Sequence, residues 1–268
     1  MRFPFAKLHG AKNDFLLTDA AEAPGEGLPE IAVAICDRFT GVGADGWMLV
    51  DRRPGEGYDA AIRLFNSDGS EPELSGNGTR CAAALLLRGR PEAREFRIRT
   101  AAGIKHLRVV QSGGTGSLFE MNMGEIRVLE PAATVQGRDA VLVDAGNPQC
   151  AMPVEDFDFD WRAVGRSVER DARFPRRTNV SFVRKVDEHT VDVRFWERGA
   201  GETNSSGTGS TGAAVAAEAR GLVKSPVTVL TPAGPLELRL EGSRVFLTGP
   251  AEFVCEGWYY YPGAAQHP

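Results

Sequence analysis

The stretch Ser75-Gly76-Asn77-Gly78-Thr79-Arg80-Cys81-Ala82-Ala83-Ala84-Leu85-Leu86-Leu87 has a second version in the same chain, Ser206-Gly207-Thr208-Gly209-Ser210-Thr211-Gly212-Ala213-Ala214-Val215-Ala216-Ala217. The shift between them is 131 residues, the separation of Ser75 and Ser206, and it is close to half of the 268-residue chain. The same shift lays Ile62-Arg63-Leu64-Phe65-Asn66 on Val193-Arg194-Phe195-Trp196-Glu197, and Glu71 on Glu202. Both segments stop at an Arg-Gly pair, Arg88-Gly89 and Arg220-Gly221. Self-similarity at a fixed period reads as repeated architecture. Two homologous halves are expected, each with a strand, a loop, a Ser-Gly-x-Gly turn and an Ala-rich helix. The boundary is expected near Gly116 to Glu130, where Gly113-Gly114-Thr115-Gly116 loosens the chain. Residues 1–120 would form the first domain, completed by a C-terminal strand near 253–268, and residues 121–252 the second.

Outward from the two turns, short β-like runs dominate. They include Gly46–Val50, Ala60–Phe65, Glu95–Arg99, His106–Val110, Ala140–Val143, Asn179–Val183, Val191–Phe195 and Val227–Leu230. These runs alternate or are rich in β-branched residues, and Gly or Pro bounds them, as strands require. Only Leu28–Cys36, Gly78–Arg88, Trp161–Arg170 and Gly209–Arg220 read as helix. The fold class is α+β rather than a doubly wound dinucleotide fold.

Composition narrows the function. Apolar residues make up 42% of the chain and charged residues 25%, which is ordinary for a globular protein. A formal charge of −5 argues against nucleic-acid binding through a general basic surface. The start, Met1 to Lys7, lacks the apolar run of a signal peptide, and no apolar stretch reaches the ~20 residues of a membrane span. Cys36, Cys81, Cys150 and Cys255 are scattered without metal-ligand spacing, so no structural zinc site and a reduced, cytoplasmic setting are expected.

The repeated turn has a chemical meaning. Serine is a preferred N-cap, and the glycines after it let an anion reach bare backbone N–H groups where the helix dipole also favours negative charge. One such turn is compatible with an ordinary capped helix. Its duplication, with Glu at the same offset, favours a small carboxylate or phosphate held by the helix N-termini. The helices are small and apolar all round, so both should be buried. Gly41–Gly46 and Gly207–Gly212 each fit GxGxxG, but the first leads into a strand and the second follows eleven residues of loop, so neither signals a nucleotide. Asn13, Asn66, Asn147, Asn179, Glu197 and Arg198 add amide donors and a guanidinium fork suited to a carboxylate.

Taken together these residues resemble the diaminopimelate epimerase family of pyridoxal-independent amino-acid racemases and epimerases. The resemblance rests on Phe5–Phe15, Gly43–Gly46, Phe65–Glu71, Gly76–Cys81, Gly146–Pro148, Thr178–Val180 and Glu197–Thr203. It implies two pseudo-symmetric domains, each a barrel-like sheet around a central helix, with the site in the cleft between them. It implies a cofactor-free isomerase acting on the Cα of an amino-acid substrate, LL- to meso-diaminopimelate, in the lysine and peptidoglycan precursor pathway; a homodimer is admitted. The reacting carboxylate would meet the N–H groups of Gly76, Asn77, Gly207 and Thr208. Arg198, with Asn66, Asn147 and Asn179, would hold the distal carboxylate, and Asn13 and Glu197 belong to the same matching set of substrate-holding positions.

Members of that family invert the stereocentre with two cysteines, one on each face. Here Ser75 and Ser206 stand at those catalytic positions, and Gln149 stands where the family usually has histidine. A hydroxyl resists ionisation nearly as strongly as water, with a pKa of ~15.7, against ~8.5 for a thiol. A gap of roughly 5–7 units is about 7–10 kcal/mol, beyond the ~0.3–1 kcal/mol of a helix dipole. The two-thiol route is closed to this chain. A serine here would need its own base, and the sequence puts none in view beside Ser75 or Ser206. Cys81 should point away from the turn, and Cys150 is nearer but has no matching partner. Three accounts remain open: an engineered double substitution, which does not explain Gln149; a divergent enzyme; and a non-catalytic paralogue that binds an amino acid or small anion.

Overall fold

In the computed structural model residues 1–263 are described. The chain runs β1 (Arg2–Gly10), β2 (Asn13–Asp19), α1 (Leu28–Cys36), β3 (Gly46–Asp51), β4 (Ala60–Asn66), α2 (Gly76–Gly89), β5 (Glu95–Thr100), β6 (Gly103–Gly113) and β7 (Gly116–Glu125). It continues through β8 (Arg127–Val135), β9 (Arg138–Asp144), β10 (Pro148–Val154), α3 (Trp161–Glu169), β11 (Asn179–Lys185), β12 (Thr190–Glu197), β13 (Gly201–Thr203), α4 (Gly207–Ala219), β14 (Val227–Thr231), β15 (Gly234–Glu241) and β16 (Arg244–Tyr260). Two compact units result, one of residues 1–121 together with 250 onward, the other of residues 122–249. No helix among the described residues is long and apolar enough to cross a membrane.

In the first unit the strands follow one another from β1 to β7, and the later part of β16 pairs with β1 to close the eight-stranded sheet. That pairing runs from Arg2 opposite Tyr260 to His9 opposite Glu252. The strand expected near 253–268 is therefore β16 up to Tyr260, and residues 264–268 lie outside the described part. In the second unit the order is β16-β15-β14-β12-β11-β10-β9-β8, with β13 paired to β12. Gly113–Gly116, expected to loosen the chain at the boundary, instead closes the β6–β7 hairpin, with Gly114 at φ 57°.

Most neighbours are antiparallel, and the exceptions explain the helices. β2 with β3, β4 with β5, β10 with β11 and β12 with β14 are parallel. Parallel neighbours need a crossover connection, and α1, α2, α3 and α4 are those four crossovers. Two of them cover a sheet from one side. α1 buries Leu28, Ile31, Ala32 and Ile35, an i, i+3, i+4, i+7 stripe, in a cluster with Phe3, Trp47 and Phe65. α3 does the same with Trp161 and Val168 against Met152, Val180 and Phe182.

The other two are enclosed. Every residue of α2 from Gly76 to Leu87 is buried, and the helix packs on β1, β2 and β5. α4 packs on β8 to β12, β14 and β15. Small side chains fill α4 and much of α2, as an enclosed helix requires, because large ones on every face would overfill the space; α2 adds Arg80, Leu85, Leu86 and Leu87. Both begin on serine caps. Ser75 Oγ accepts from Gly78 N and Ser206 Oγ from Gly209 N, each at 3.1 Å, an arrangement worth ~1 kcal/mol per helix. The turn's last glycine is demanded by that cap. A Cβ on Gly78 would stand 3.3 Å from Ser75 Oγ and 2.8 Å from Met48 Cε; one on Gly209 would stand 2.9 Å from Ser206 Oγ.

Candidate functional site

The caps decide which backbone donors remain. Gly78 and Gly209 are taken by the serine hydroxyls, and Thr79 and Ser210 by the carbonyls of Ser75 and Ser206. The first amides of each helix, Gly76 and Asn77 in α2 and Gly207 and Thr208 in α4, lie ahead of any intrahelical acceptor. In each unit, two N–H groups at a dipole-positive helix end suit an anion.

In the first unit these amides gather a polar set. Asn77 Nδ2 donates to Asn13 Oδ1 at 3.2 Å, and Asn13 Nδ2 donates to Asp45 Oδ2 at 2.6 Å. Asp14 sits beside them; burial opposes its charge, but Arg38 and Lys7 together hold its carboxyl below the usual range. Asn66 ends β4, opposite Gly46, and donates to Ser70 Oγ at 2.9 Å. Ser75 itself accepts from Gly78 N, and among the described residues no acceptor takes its proton.

The second unit gathers the rest. Asn147 donates to Thr208 Oγ1 at 3.3 Å and accepts from Gln149 Nε2 at 2.6 Å. Gln149 is buried, and among the described residues its Oε1 has no partner. A Cβ on Gly212 would stand 2.9 Å from Gln149 Cγ, so this side chain lies across the body of α4. Asn179 is tied at both ends, donating to Pro148 O and accepting from Arg198 N, each at 3.0 Å. Arg198 is exposed; Nη1 donates to Arg176 O at 3.2 Å, and among the described residues no carboxylate pairs with it.

One group changes the chemistry expected from the sequence. Glu197, at the end of β12, faces Ser206 across the short β12–β13 hairpin. Ser206 Oγ donates to Glu197 Oε2 at 2.8 Å, and Thr203 Oγ1 donates to Oε1 at 2.7 Å. Burial pushes the Glu197 carboxyl above the usual range, outweighing the two hydroxyls that pull it down. The expectation that no base attends either serine is thus corrected at Ser206, where a carboxylate touches the hydroxyl. Thr203 is the residue that sequence reasoning missed. The signal for Glu197 was in the self-alignment, which pairs it with Asn66.

The cysteines stand aside. Cys81 and Cys150 are fully buried, and burial pushes both thiols up to about 12. Cys150 packs with Met152, Trp161 and Val168 in the α3 core, on the other face of β10 from Gln149, so its supposed nearness to the site is corrected. Cys36 is likewise pushed to about 12. A recess of about 450 Å³ in the first unit, lined by Pro4, Ala6, Leu17, Arg52, Leu85 and Trp258 among others, contains none of the expected site residues.

Comparison with known proteins identifies the family. The chain matches the family described as Diaminopimelate epimerase over residues 5–129 and 141–254. It is 37% identical to the diaminopimelate epimerase of Pelotomaculum thermopropionicum, over 96% of this chain and 99% of that one. To the diaminopimelate epimerase of Ralstonia nicotianae it is 39% identical, with 96% of each chain covered. Among solved structures, a PhzF-family phenazine biosynthesis protein of Bacillus anthracis superposes with a TM-score of 0.71 at 16% identity, covering 97% of this chain and all of the other. A hydroxyproline epimerase of Agrobacterium vitis gives 0.67, also at 16%, covering 96% and 92%; these two establish the fold alone. With caps, amides and polar clusters in place and the match spanning nearly the whole sequence, the chain belongs to the diaminopimelate epimerase family.

Proposed function

We propose that this protein is an isomerase that epimerises the Cα of a diamino dicarboxylic acid, diaminopimelate, with Ser206 and Glu197 as one proton-transfer unit and Ser75 as the donor for the other face. The observation that carries this reading is the 2.8 Å hydrogen bond from Ser206 Oγ to Glu197 Oε2. A serine alone is too weak a base, by the roughly 5–7 pKa units that separate hydroxyl from thiol. A serine in contact with a carboxylate need not hold the proton. As the Cα proton passes to Ser206 Oγ, the hydroxyl's own proton passes to Glu197 Oε2, and no alkoxide accumulates. The electron pair left on Cα spreads into the α-carboxylate, whose growing charge the amides of Gly76, Asn77, Gly207 and Thr208 would stabilise. Reprotonation on the opposite face takes the proton of Ser75 Oγ; water then gives a proton back to Ser75, and the hydroxide so formed takes the proton left on Glu197, which restores both groups. Ser75 is a poor base but an adequate acid toward a carbanion. Gly76, Asn77, Gly207 and Thr208 thus take the reacting carboxylate, while Arg198, with Asn66, Asn147 and Asn179, holds the distal end, and Asn13 supports the reacting end through its hydrogen bond with Asn77. The uncommitted part of the Arg198 fork supports the choice of a dicarboxylic ligand.

The test is exchange of the α-proton in deuterium oxide. Glu197→Gln keeps the shape, and its amide oxygen still accepts from one hydroxyl, but it cannot take up a proton. General base catalysis typically contributes ~10²–10⁴-fold, so exchange should fall by at least that lower figure while binding of diaminopimelate persists. Unchanged exchange in Glu197→Gln would remove Glu197 from the chemistry. Tight binding with no exchange in the unaltered protein would instead favour a binding protein.

A further inference from the structure

Arg80 lies in α2, five residues after Ser75, and is wholly buried. Its side chain runs back along the helix toward the N-terminal turn, where Nη2 donates to Asn77 Oδ1 and Nε donates to Pro250 O at 3.2 Å. Among the described residues Nη1 has no partner and no carboxylate pairs with this guanidinium. Burial lowers its pKa to about 10, so the group remains charged at neutral pH. A buried charge held only by neutral acceptors is costly to the fold. A purely structural role would be served as well by an apolar side chain of the same length.

What the charge does instead follows from hydrogen-bond polarity. Arginine can only donate, and an ionised aspartate can only accept. Arg80 and Asp45 stand at the two ends of a chain of amides, Arg80 to Asn77, Asn77 to Asn13, Asn13 to Asp45. Both asparagines are therefore fixed in one orientation, oxygen toward Arg80 and NH₂ toward Asp45. A flipped Asn77 would set its oxygen against Asn13 Oδ1 and its NH₂ against the guanidinium. Close packing holds the arrangement, since a Cβ on Gly10 would stand 3.2 Å from Asn77 O and 3.1 Å from Pro250 O.

We infer that Arg80 is a positioning residue for the reacting carboxylate: its buried, unpaired guanidinium locks Asn77 and adds positive charge behind the Gly76 and Asn77 amides. The inference rests on the reading that this carboxylate binds at those amides. Its counter-ion is the substrate itself, and the charge gains most as Cα loses its proton and the carboxylate becomes more negative.

The experiment compares the unaltered protein with Arg80→Met and Arg80→Lys, using diaminopimelate as the probe. Three readouts are taken: Tm without ligand, Kd, and the rate of α-proton exchange at saturation. Arg80→Met should keep or raise Tm without ligand, because it removes an uncompensated charge. Its exchange rate at saturation should fall by about tenfold or more, the scale of one charged hydrogen bond, and its Kd should rise. Arg80→Lys should recover part of the exchange rate, since it restores charge without the fork. A large fall in Tm with the exchange rate of the folded protein intact would overturn the inference and make Arg80 structural. Equal exchange in all three proteins would overturn it too. If the unaltered protein neither binds nor exchanges diaminopimelate, the proposed function fails first, and that outcome is distinct from either.

Discussion

The turns at Ser75 and Ser206 are alike in backbone and unlike in chemistry. Each serine caps an enclosed helix, each accepts from the amide three residues on at 3.1 Å, and each is followed by two amides that lie ahead of any intrahelical acceptor. Yet the residue at the same place in the repeat is Asn66 in one half and Glu197 in the other. Asn66 turns to Ser70, whereas Glu197 turns to Ser206, and burial raises its affinity for a proton. A duplicated scaffold can therefore keep its anion-binding geometry in both halves while only one half keeps a group able to hold a proton. Binding and proton transfer are carried by different atoms, and they vary separately.

The largest expected effect comes from abolishing that inequality. Ser75→Cys with Ser206→Cys should raise epimerisation by on the order of 100-fold, since each thiol ionises several pKa units below a hydroxyl. The single variants sharpen the comparison. Ser75→Cys should gain more than Ser206→Cys, because Ser206 already has Glu197 while among the described residues no carboxylate meets Ser75. Equal gains from the two singles would break the claimed asymmetry. Steady-state epimerisation rates of the three variants are the check.

A smaller effect concerns stability. The folded pKa of Glu197 is raised above its unfolded value, so the protonated form is the one the fold favours. The stability that this contributes is fully present below the unfolded value of about 4.3 and is lost as pH rises through the folded value. Relative to Glu197→Gln, which stays neutral, the unaltered protein should lose stability as pH rises from 4 toward neutral. Urea unfolding of both proteins across that range measures the difference. A difference that does not change with pH would mean that Glu197 is not perturbed.

Much of this was legible in the sequence. α1 is read to the residue at Leu28–Cys36, and the two serine caps follow from Ser-Gly-x-Gly before an alanine-rich run. Short strands such as Val227–Thr231 stand out because β-branched residues fill them. β1 escapes that reading: Pro4 and Lys7 interrupt its apolar residues, and its pairing with β16 joins opposite ends of the chain. The parallel neighbours that make each helix a crossover are also invisible to periodicity. The Glu197–Ser206 contact was hidden for a local reason. Nine residues separate them, and only the β12–β13 hairpin, Glu197 opposite Gly201, folds the carboxylate back onto the cap. Cys150 misled in the opposite way. It is three residues from Asn147 in sequence, but alternation along β10 sends it into the apolar core.

The most direct test of the inequality between the halves is α-proton exchange and inversion measured together, in deuterium oxide, for Ser75→Ala and Ser206→Ala. In Ser75→Ala the Ser206–Glu197 pair is intact, so the α-proton should still exchange with retention of configuration while inversion is lost. In Ser206→Ala both exchange and inversion should disappear. Loss of exchange in Ser75→Ala to the same extent as in Ser206→Ala would contradict the account, because it would show two equivalent serines rather than one proton-transfer unit and one donor.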